Sequence, residues 1–542
     1  MSKRPLSLAA SPSSKRTRTA AATFNPRKIA SSAAAAATDA DPPLLKLLKA
    51  VKDGVPTPKK GDSVVYWMRM GDLRISDNRA LSLASAHAKK DNVPLVVLFI
   101  LSPQDWTAHD RAPRRIDFTL RNLALIKLSL AELHIPLHTV TQPNRRAIPQ
   151  QVLSFLDSLN AFAVYANIEY EVDELRRDVA ICNGAKSKGI SATFAHDKCV
   201  VEPGVVVTGQ NKSYAVYTPY QKAWLSKLNA NIPYYLEDCP PPRANSESVR
   251  GSPKFGALFD TPVPVSVAGF ELDPADRAKM EEVWPAGETK AQDILHRFIR
   301  TKSRSCQLGA VDPLAPGAEE SDKRSRIVVY DAERDRADRD TTSRIRCVKF
   351  SFMCNAKSAT RSTARKVDGG KTTGIGRWVQ EVAWRDFYVC VLAGFPRVSM
   401  GRPFLEKYAN VRWEGPPVEE TAYTATPGSP SPTELALAAA NIEKWKSDGY
   451  FMEKLIDGDL ASNNGGWQWC ASTGVDPCPY FRADPTGNFI RQWVPELGAV
   501  RGPDLHDPSA SIATKLGYPL PVVKHNEARD RAIRRFKDPG AA

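Results

Sequence analysis

Residues 449–497 contain a dense group of polar and aromatic side chains that packing alone would not select. The segment LIDGD ends an apolar helical run and places two carboxylates, Asp457 and Asp459, close together in the chain. The following NNGG predicts the end of that helix, because Asn and Gly favour caps and turns. Trp467 and Trp469 come next, so hydrogen-bond acceptors and flat indole rings are concentrated near one helix end. The alternative interpretation is a helix end with two core tryptophans.

A second polar segment, DTTSR, contains Thr342, Ser343 and Arg344. It offers a cluster of hydroxyls together with the free amides of a helix start, and these are the groups that bind a diphosphate. The alternative interpretation of the same residues is an ordinary helix N-cap.

A third segment, GIGRWVQEVAWRDFY, predicts a helix on which Glu381, Trp384 and Arg385 share one face. They share it because residues three and four positions apart are neighbours on a helix surface. The alternative to a binding role is a helix whose Trp384 packs in the core and whose Glu381 pairs with Arg385.

These motifs, in their order along the chain, resemble the photolyase/cryptochrome family, and WQW followed by CASTG is most similar to its class I cyclobutane pyrimidine dimer photolyases. The resemblance covers most of residues 62–542. It implies an α/β N-terminal domain with a doubly wound parallel sheet and an all-α C-terminal domain that binds FAD and DNA. The implied activity is light-driven splitting of pyrimidine dimers in UV-damaged DNA by an electron from reduced FAD. A cryptochrome-like blue-light photoreceptor is the alternative from another functional class.

The resemblance also implies roles for individual residues. The FAD site would contain Tyr330, Thr342, Ser343, Arg344, Trp378, Asp457, Asp459 and Asn463. Catalysis would use Glu381, Trp384 and Asn463, with Trp467 and Trp413 as the near and distal members of an electron-transfer chain. The flipped dimer and its DNA would contact Arg334, Glu381, Trp384, Arg385, Tyr388 and Trp469. A folate antenna, methenyltetrahydrofolate, would lie against His109, Asp173 and Glu174. The alternative interpretation of Asp173 and Glu174 is a pair of first-turn acids favoured by the helix dipole.

The chain departs from the family pattern in three places. Residues 344–366 are basic and poorly periodic, residues 413–449 lack the family's block with the middle tryptophan, and a shorter omission falls at residues 482–484. Ser399 and Met400 stand where folate-binding members often have a Cys-Lys pair. A misjoined gene product with impaired catalysis is therefore a third interpretation.

The composition and net charge limit the kinds of protein that this sequence can encode. A hydrophobic content of 42% and a charged content of 25% are typical of an ordinary globular chain, and the longest apolar run, VPLVVLFIL, is too short to cross a membrane. The nine cysteines form no CxxC pair and the eight histidines are scattered, so we expect reduced thiols and no metal site. The net charge of +15 is consistent with binding to nucleic acid phosphates. We expect a monomer that does not bind membranes.

The pattern along the chain predicts four regions. Residues 1–60 are predicted to be a disordered basic, Ala-rich tail, whose SPSSKRTRT segment suits nuclear import, a mitochondrial presequence or no address at all. Residues 61–205 alternate apolar strands with helices, which predicts a parallel sheet; no GxGxxG follows the first strand. Residues 206–283 are predicted to be an interdomain linker. Residues 284–542 are predicted to be the helical domain, with a deletion between 413 and 449.

Overall fold

The computed structural model describes residues 29–109, 111–283, 285–293, 367, 374–403, 405–410, 487, 490–491, 494–505, 508–518, 530, 533–534 and 537–538. Within this part of the chain, five strands form one parallel sheet. They are β1 (Ser63–Met68), β2 (Leu95–Leu101), β3 (Leu137–Thr141), β4 (Ala161–Asn167) and β5 (Ser191–Ala195). The spatial order is β3-β2-β1-β4-β5, so the chain builds outward from β1 in one direction and then in the other. The predicted doubly wound sheet is therefore confirmed.

The strands form where the sequence has short runs of β-branched and aromatic residues bounded by turns. All residues of β1 are buried, because helices cover both faces of the sheet. Val64, Tyr66 and Met68 belong to the core on one face, and Val65 and Trp67 belong to the core on the other. This alternation follows from the two-residue period of a strand.

Helices connect the strands and complete the two cores. They are α3 (Arg79–Lys90), α4 (Pro103–Ala108), α5 (Pro113–Glu132), α6 (Ile148–Ser158) and α7 (Val172–Ser187). Side chains of α3 and α5 pack on the first face, and those of α6 and α7 pack on the second.

Two further helices precede the sheet, where the sequence predicted a disordered tail. They are α1 (Ser32–Ala40) and α2 (Pro43–Asp53), so that prediction is wrong for these residues. Leu44 and Leu47 of α2 are buried in the core that contains α7, and Ala35 of α1 is fully buried. The averaged composition concealed a short amphipathic pattern, which needed only a neighbouring apolar surface to become helical.

The predicted linker contains α8 (Tyr217–Ala230), α9 (Ile232–Leu236) and α10 (Pro274–Val283). Its Pro- and Ser-rich stretch is largely exposed, yet it is attached to the sheet domain. The Asn245 side chain accepts a hydrogen bond from the Leu95 amide and donates to the carbonyls of Leu95 and His134, each at 2.9 Å. Side-chain bonds of this kind fix a segment that has no regular structure.

Beyond the linker, the structure describes α11 (Gly374–Gly394), which packs on α8, and α12 (Ala510–Leu516). Two 3-10 turns, Pro396–Met400 and Glu406–Asn410, follow α11. Among the described helices, none combines the length and the hydropathy needed to cross a bilayer.

Candidate functional site

Helix α11 carries four of the residues predicted to contact DNA: Glu381, Trp384, Arg385 and Tyr388. One buried carboxylate on this helix ties it to two other segments of the chain. Asp386 is fully buried, and its Oδ2 accepts hydrogen bonds from the Val200 amide at 2.8 Å, the Val201 amide at 3.2 Å and Trp224 Nε1 at 3.0 Å. One carboxylate thereby joins α11 to α8 and to the segment after β5.

Sequence reasoning did not single out Asp386. The available signal was an acid within the run AWRDFYVCVLAG, which is otherwise mostly apolar. A charged residue in such a run is buried only if it is paired, so it marks a hydrogen-bonding centre.

Arg385 lies next to this centre. Its guanidinium donates to Asp386 Oδ1 from Nη2 at 2.7 Å and from Nε at 3.1 Å, and the side chain is only 11% exposed. Burial alone would lower the pKa of Arg385, but the Asp386 carboxylate outweighs it and raises the pKa above its ordinary value. The structure therefore directs Arg385 toward Asp386, and its contact with DNA stays a prediction.

Trp384 is half-buried and lies among other aromatic rings. The Tyr217 ring is nearly parallel to it, with 3.5 Å between ring centroids and 8° between planes. Tyr388 stacks at 5.4 Å and 26°, and Phe387 presents its edge at 5.8 Å. The Tyr217 hydroxyl donates to the Gln380 carbonyl at 3.0 Å, which anchors α8 to α11 at this point.

The remaining predicted residues of the FAD, electron-transfer and DNA sites fall elsewhere. Those outside the described residues are Tyr330, Arg334, Thr342, Ser343, Arg344, Trp413, Asp457, Asp459, Asn463, Trp467 and Trp469. The backbone of Trp378 and that of Glu381 are part of α11. Their assignments stay predictions.

The predicted antenna residues do come together, at the carboxyl edge of the sheet. His109 ends α4 after β2, and Asp173 and Glu174 begin α7 after β4. His109 Nε2 lies 2.8 Å from Glu174 Oε1, and Asp173 Oδ2 lies 3.1 Å from Arg145 Nη2. Because parallel strands all end at this edge, loops distant in sequence meet here.

The charges in this group stabilise one another. Burial alone would raise the pKa of Glu174, but His109 and Arg177 outweigh it and hold that pKa well below its ordinary value. Burial alone would lower the pKa of His109, and the Glu174 carboxylate raises it instead. Each member of the pair therefore favours the charged form of the other.

The second oxygen of the Glu174 carboxylate differs from the first. Glu174 Oε2 is buried and has no hydrogen-bond partner within the described part of the chain. A buried carboxylate oxygen without a donor is costly, so it suits an N–H group of a ligand. The Ser399 hydroxyl accepts from the Val172 amide at 3.0 Å, which places the Pro396–Met400 turn beside the first turn of α7.

Asp105, His109 and Glu174 also provide one metal-ligand atom each, all within 4.8 Å of one another. A positive charge is already present, since Arg145 Nε donates to Asp105 Oδ1 at 2.6 Å. Burial, the largest effect, raises the pKa of Asp105. We interpret the group as an ion-pair network with donor atoms of the right type for a cation.

A second ion-pair network lies between β1 and β4, where the strand order reverses. Nη1 of Arg69, the residue after β1, lies 3.0 Å from Glu169 Oε2 and 3.1 Å from Asp178 Oδ2. Its guanidinium also covers the Trp67 ring at 3.9 Å. In open α/β sheets this reversal is the usual ligand site. Here the ion pairs of Arg69 lie at that position.

Two family models match the chain. Residues 64–242 match the model described as DNA photolyase, and residues 435–538 match the FAD binding domain of DNA photolyase. The second range includes the predicted flavin-site residues Asp457, Asp459 and Asn463. The range between the two matches, 243–434, contains the irregular segment 344–366.

Several relatives are similar to this chain over most of their length. The deoxyribodipyrimidine photo-lyase of Neurospora crassa is 36% identical over 529 residues, which is 88% of this chain and 81% of that protein. The Escherichia coli protein of the same name is 27% identical over 509 residues, covering 87% and 98%. The mitochondrial deoxyribodipyrimidine photo-lyase of Saccharomyces cerevisiae is 28% identical over 531 residues, covering 88% and 86%.

Solved structures give the same fold. A class III photolyase from Agrobacterium tumefaciens superposes with a TM-score of 0.56 at 20% identity, covering 89% of this chain and 98% of that one. A cryptochrome from Synechocystis superposes with a TM-score of 0.53 at 18% identity, covering 89% and 100%. At these identities the likeness shows the fold alone, and it confirms the predicted fold class.

Proposed function

The chain belongs to the DNA photolyase family, and from that membership we propose that it is a light-driven DNA repair flavoprotein. It splits cyclobutane pyrimidine dimers in UV-damaged DNA with an electron from reduced FAD, as a deoxyribodipyrimidine photo-lyase. The proposal rests on the 36% identity to the Neurospora crassa enzyme over 81% of its length. The cryptochrome alternative has only a likeness of fold in its favour.

FAD, when bound and reduced, supplies the electron for this reaction. The residues proposed to hold it are Thr342, Ser343, Asp457, Asp459 and Asn463. A neutral amide such as Asn463 can accept a hydrogen bond from flavin N5–H without adding charge.

The residues that the structure describes would contribute by holding the dimer-binding side chains in place. Asp386 fixes α11, and α11 in turn holds Trp384, which offers an aromatic ring to a dimer flipped out of the duplex. A dimer stacks poorly within DNA, so its extrusion costs less than that of an ordinary base. Arg334 and neighbouring basic residues are proposed to contact the DNA phosphates.

The repair function predicts light-dependent loss of dimers and preferential binding to damaged DNA. Trp384→Ala should weaken binding to a dimer-containing duplex by about 1–3 kcal/mol, or roughly 5- to 150-fold, because it removes one base-stacking surface. Trp384→Phe should retain most of the affinity. The measurement is fluorescence anisotropy with dimer-containing and intact duplexes, followed by dimer counting after illumination of FAD-loaded protein. Equal affinity of the parent protein for both duplexes, with no loss of dimers in light, would contradict the proposed function.

We also propose a folate antenna held by His109, Asp173 and Glu174, supported by the unpartnered Glu174 Oε2. Glu174→Gln should prevent retention of methenyltetrahydrofolate and leave FAD binding unchanged, because it removes the charge and the second acceptor oxygen. Near-UV absorbance after gel filtration of protein mixed with the folate measures retention. Asp157→Asn, an exposed acid paired with Lys188, is the matched control. Undiminished folate binding by Glu174→Gln would remove Glu174 from the site.

The oligomeric state and the location in the cell are proposed from the sequence. We propose that the protein acts as a monomer, which light scattering would test. We propose that its basic tail directs it to the nucleus, with the mitochondrion as the alternative, since the yeast relative is named mitochondrial. The first acid in the chain is Asp39, so the tail suits either address. Imaging of a C-terminal fluorescent fusion distinguishes the two, and a diffuse signal would contradict both.

A further inference from the structure

The indole of Trp384 has ring neighbours that leave little stacking surface for a ligand. Tyr217 is almost parallel to it at 3.5 Å, which is van der Waals contact over the ring face. Tyr388 stacks on it with an offset at 5.4 Å. A flat base can be inserted against an indole only if one neighbouring ring moves away.

The two neighbours differ in how firmly they are held. Tyr388 lies within α11, is 9% exposed and packs beside Phe387 of the same helix. Tyr217 is half-buried at the first residue of α8, and it follows Val216, which is 58% exposed. Rotation of Tyr217 breaks its hydroxyl bond to the Gln380 carbonyl and its ring contacts with Trp384 and Phe387, whereas movement of Tyr388 would disturb a buried helix. Of the two rings, Tyr217 is the more exposed and lies at the start of its helix, so it is the ring that can move without disturbing a helix interior.

We propose that Tyr217 is a gate over the lesion-binding face of Trp384. In the DNA-free protein its ring occupies the position that a flipped pyrimidine dimer takes in the complex, and the dimer must displace it. This inference rests on the proposed function, which assigns Trp384 to the dimer. Displacement lowers the affinity for any ligand that stacks on Trp384, but it does not affect binding to the phosphates of an intact duplex.

Because of the gate, a ligand needs a minimum binding energy to enter the site. An aromatic group enters only when its own stacking and hydrogen bonds exceed those that Tyr217 makes with Trp384 and Gln380. Bases that are unpaired by chance therefore meet a closed pocket. A dimer, already destacked in the duplex, is the ligand best able to displace the ring.

The test compares full-length parent protein with Tyr217→Ala, Tyr217→Phe and Trp384→Ala, using duplexes with and without a single thymine dimer. Tyr217→Ala should bind the dimer duplex roughly tenfold more tightly, the scale of one aromatic stacking contact, and should bind the intact duplex unchanged. Tyr217→Phe loses only the hydroxyl bond and should tighten dimer binding by about two- to threefold. Tyr234→Ala, an exposed tyrosine of α9 that is 53% exposed, is the matched control and should change neither affinity.

The outcomes separate the gate from the function on which it rests. Weaker or unchanged dimer binding by Tyr217→Ala, alongside a loss in Trp384→Ala, would overturn the gate and make Tyr217 a support for the indole. If Trp384→Ala binds the dimer as the parent does, the assignment of Trp384 fails instead. If Tyr217→Ala does not fold by circular dichroism, Tyr217→Phe decides, because tighter dimer binding supports the gate and unchanged binding overturns it.

Discussion

Replacing Asp386 with Ala is expected to lower the free energy of unfolding by about 3–5 kcal/mol, the usual cost of removing one partner from a buried charged network. The substitution leaves the amides of Val200 and Val201, the Trp224 indole N–H and the Arg385 guanidinium without their acceptor. Each group is desolvated in the folded state, and the guanidinium remains charged. A buried donor without an acceptor costs about 1–3 kcal/mol, and the charged group costs more.

Urea denaturation followed by tryptophan fluorescence measures this loss. Asp386→Asn keeps the shape and one acceptor oxygen but places an NH2 group near Arg385, so it should fall between Ala and the parent. The control is Asp157→Ala, because Asp157 is 43% exposed and forms a direct surface ion pair with Lys188. Its effect should stay below about 1 kcal/mol. A similar loss in both Ala variants would refute the role assigned to the Asp386 carboxylate.

The second large effect is expected at Arg69. Arg69→Met keeps most of the side-chain volume but removes the charge that pairs with Asp178, which is fully buried, and with Glu169. The free energy of unfolding should fall by about 3–5 kcal/mol, since the Asp178 carboxylate would retain only Arg177. The loss also includes the contact of the guanidinium with the Trp67 ring.

The pH dependence gives a specific signature for this variant. Burial, the largest effect, raises the pKa of Asp178, while Arg69 and Arg177 act to lower it. Without Arg69 that pKa should rise further, so the folded state takes up a proton more readily than the unfolded state. Stability then increases as the pH falls, and the deficit of Arg69→Met against the parent should shrink as the pH falls through the raised pKa of Asp178 in the variant.

A double variant completes the test. Arg69→Met with Asp178→Leu removes both charges and should recover most of the lost stability, because an apolar pair of similar volume often replaces a buried ion pair at little cost. Denaturation curves of the two single variants and the double variant form a thermodynamic cycle. Additive losses would show that Arg69 and Asp178 do not act as a pair.

The sequence by itself determined the strands and the family. Five short runs bounded by turn residues predicted β1 to β5. The signal was strongest at β1 and β2, because a strand buried on both faces is almost continuously apolar, whereas the edge strands β3 and β5 are partly exposed. The missing glycine-rich fingerprint argued against a dinucleotide at the first strand, and Arg69 occupies that edge with its ion pairs. His109 and Glu174 were predicted to share a site, and the structure brings His109 Nε2 to 2.8 Å from Glu174 Oε1; their role in holding an antenna stays a prediction.

Only the tertiary structure decided which side chains of α11 and of the N-terminal segment form hydrogen bonds or pack against distant parts of the chain. Asp386 looked like one acid among many until three donors from distant segments met at its carboxylate. Tyr217 had no motif to mark it, and its place over Trp384 depends on how α8 crosses α11. Helix α2 was predicted as disordered, because its few leucines are stabilising only against the surface of α7. In each case the deciding energy comes from a partner far away in the chain, and local patterns carry no record of that partner.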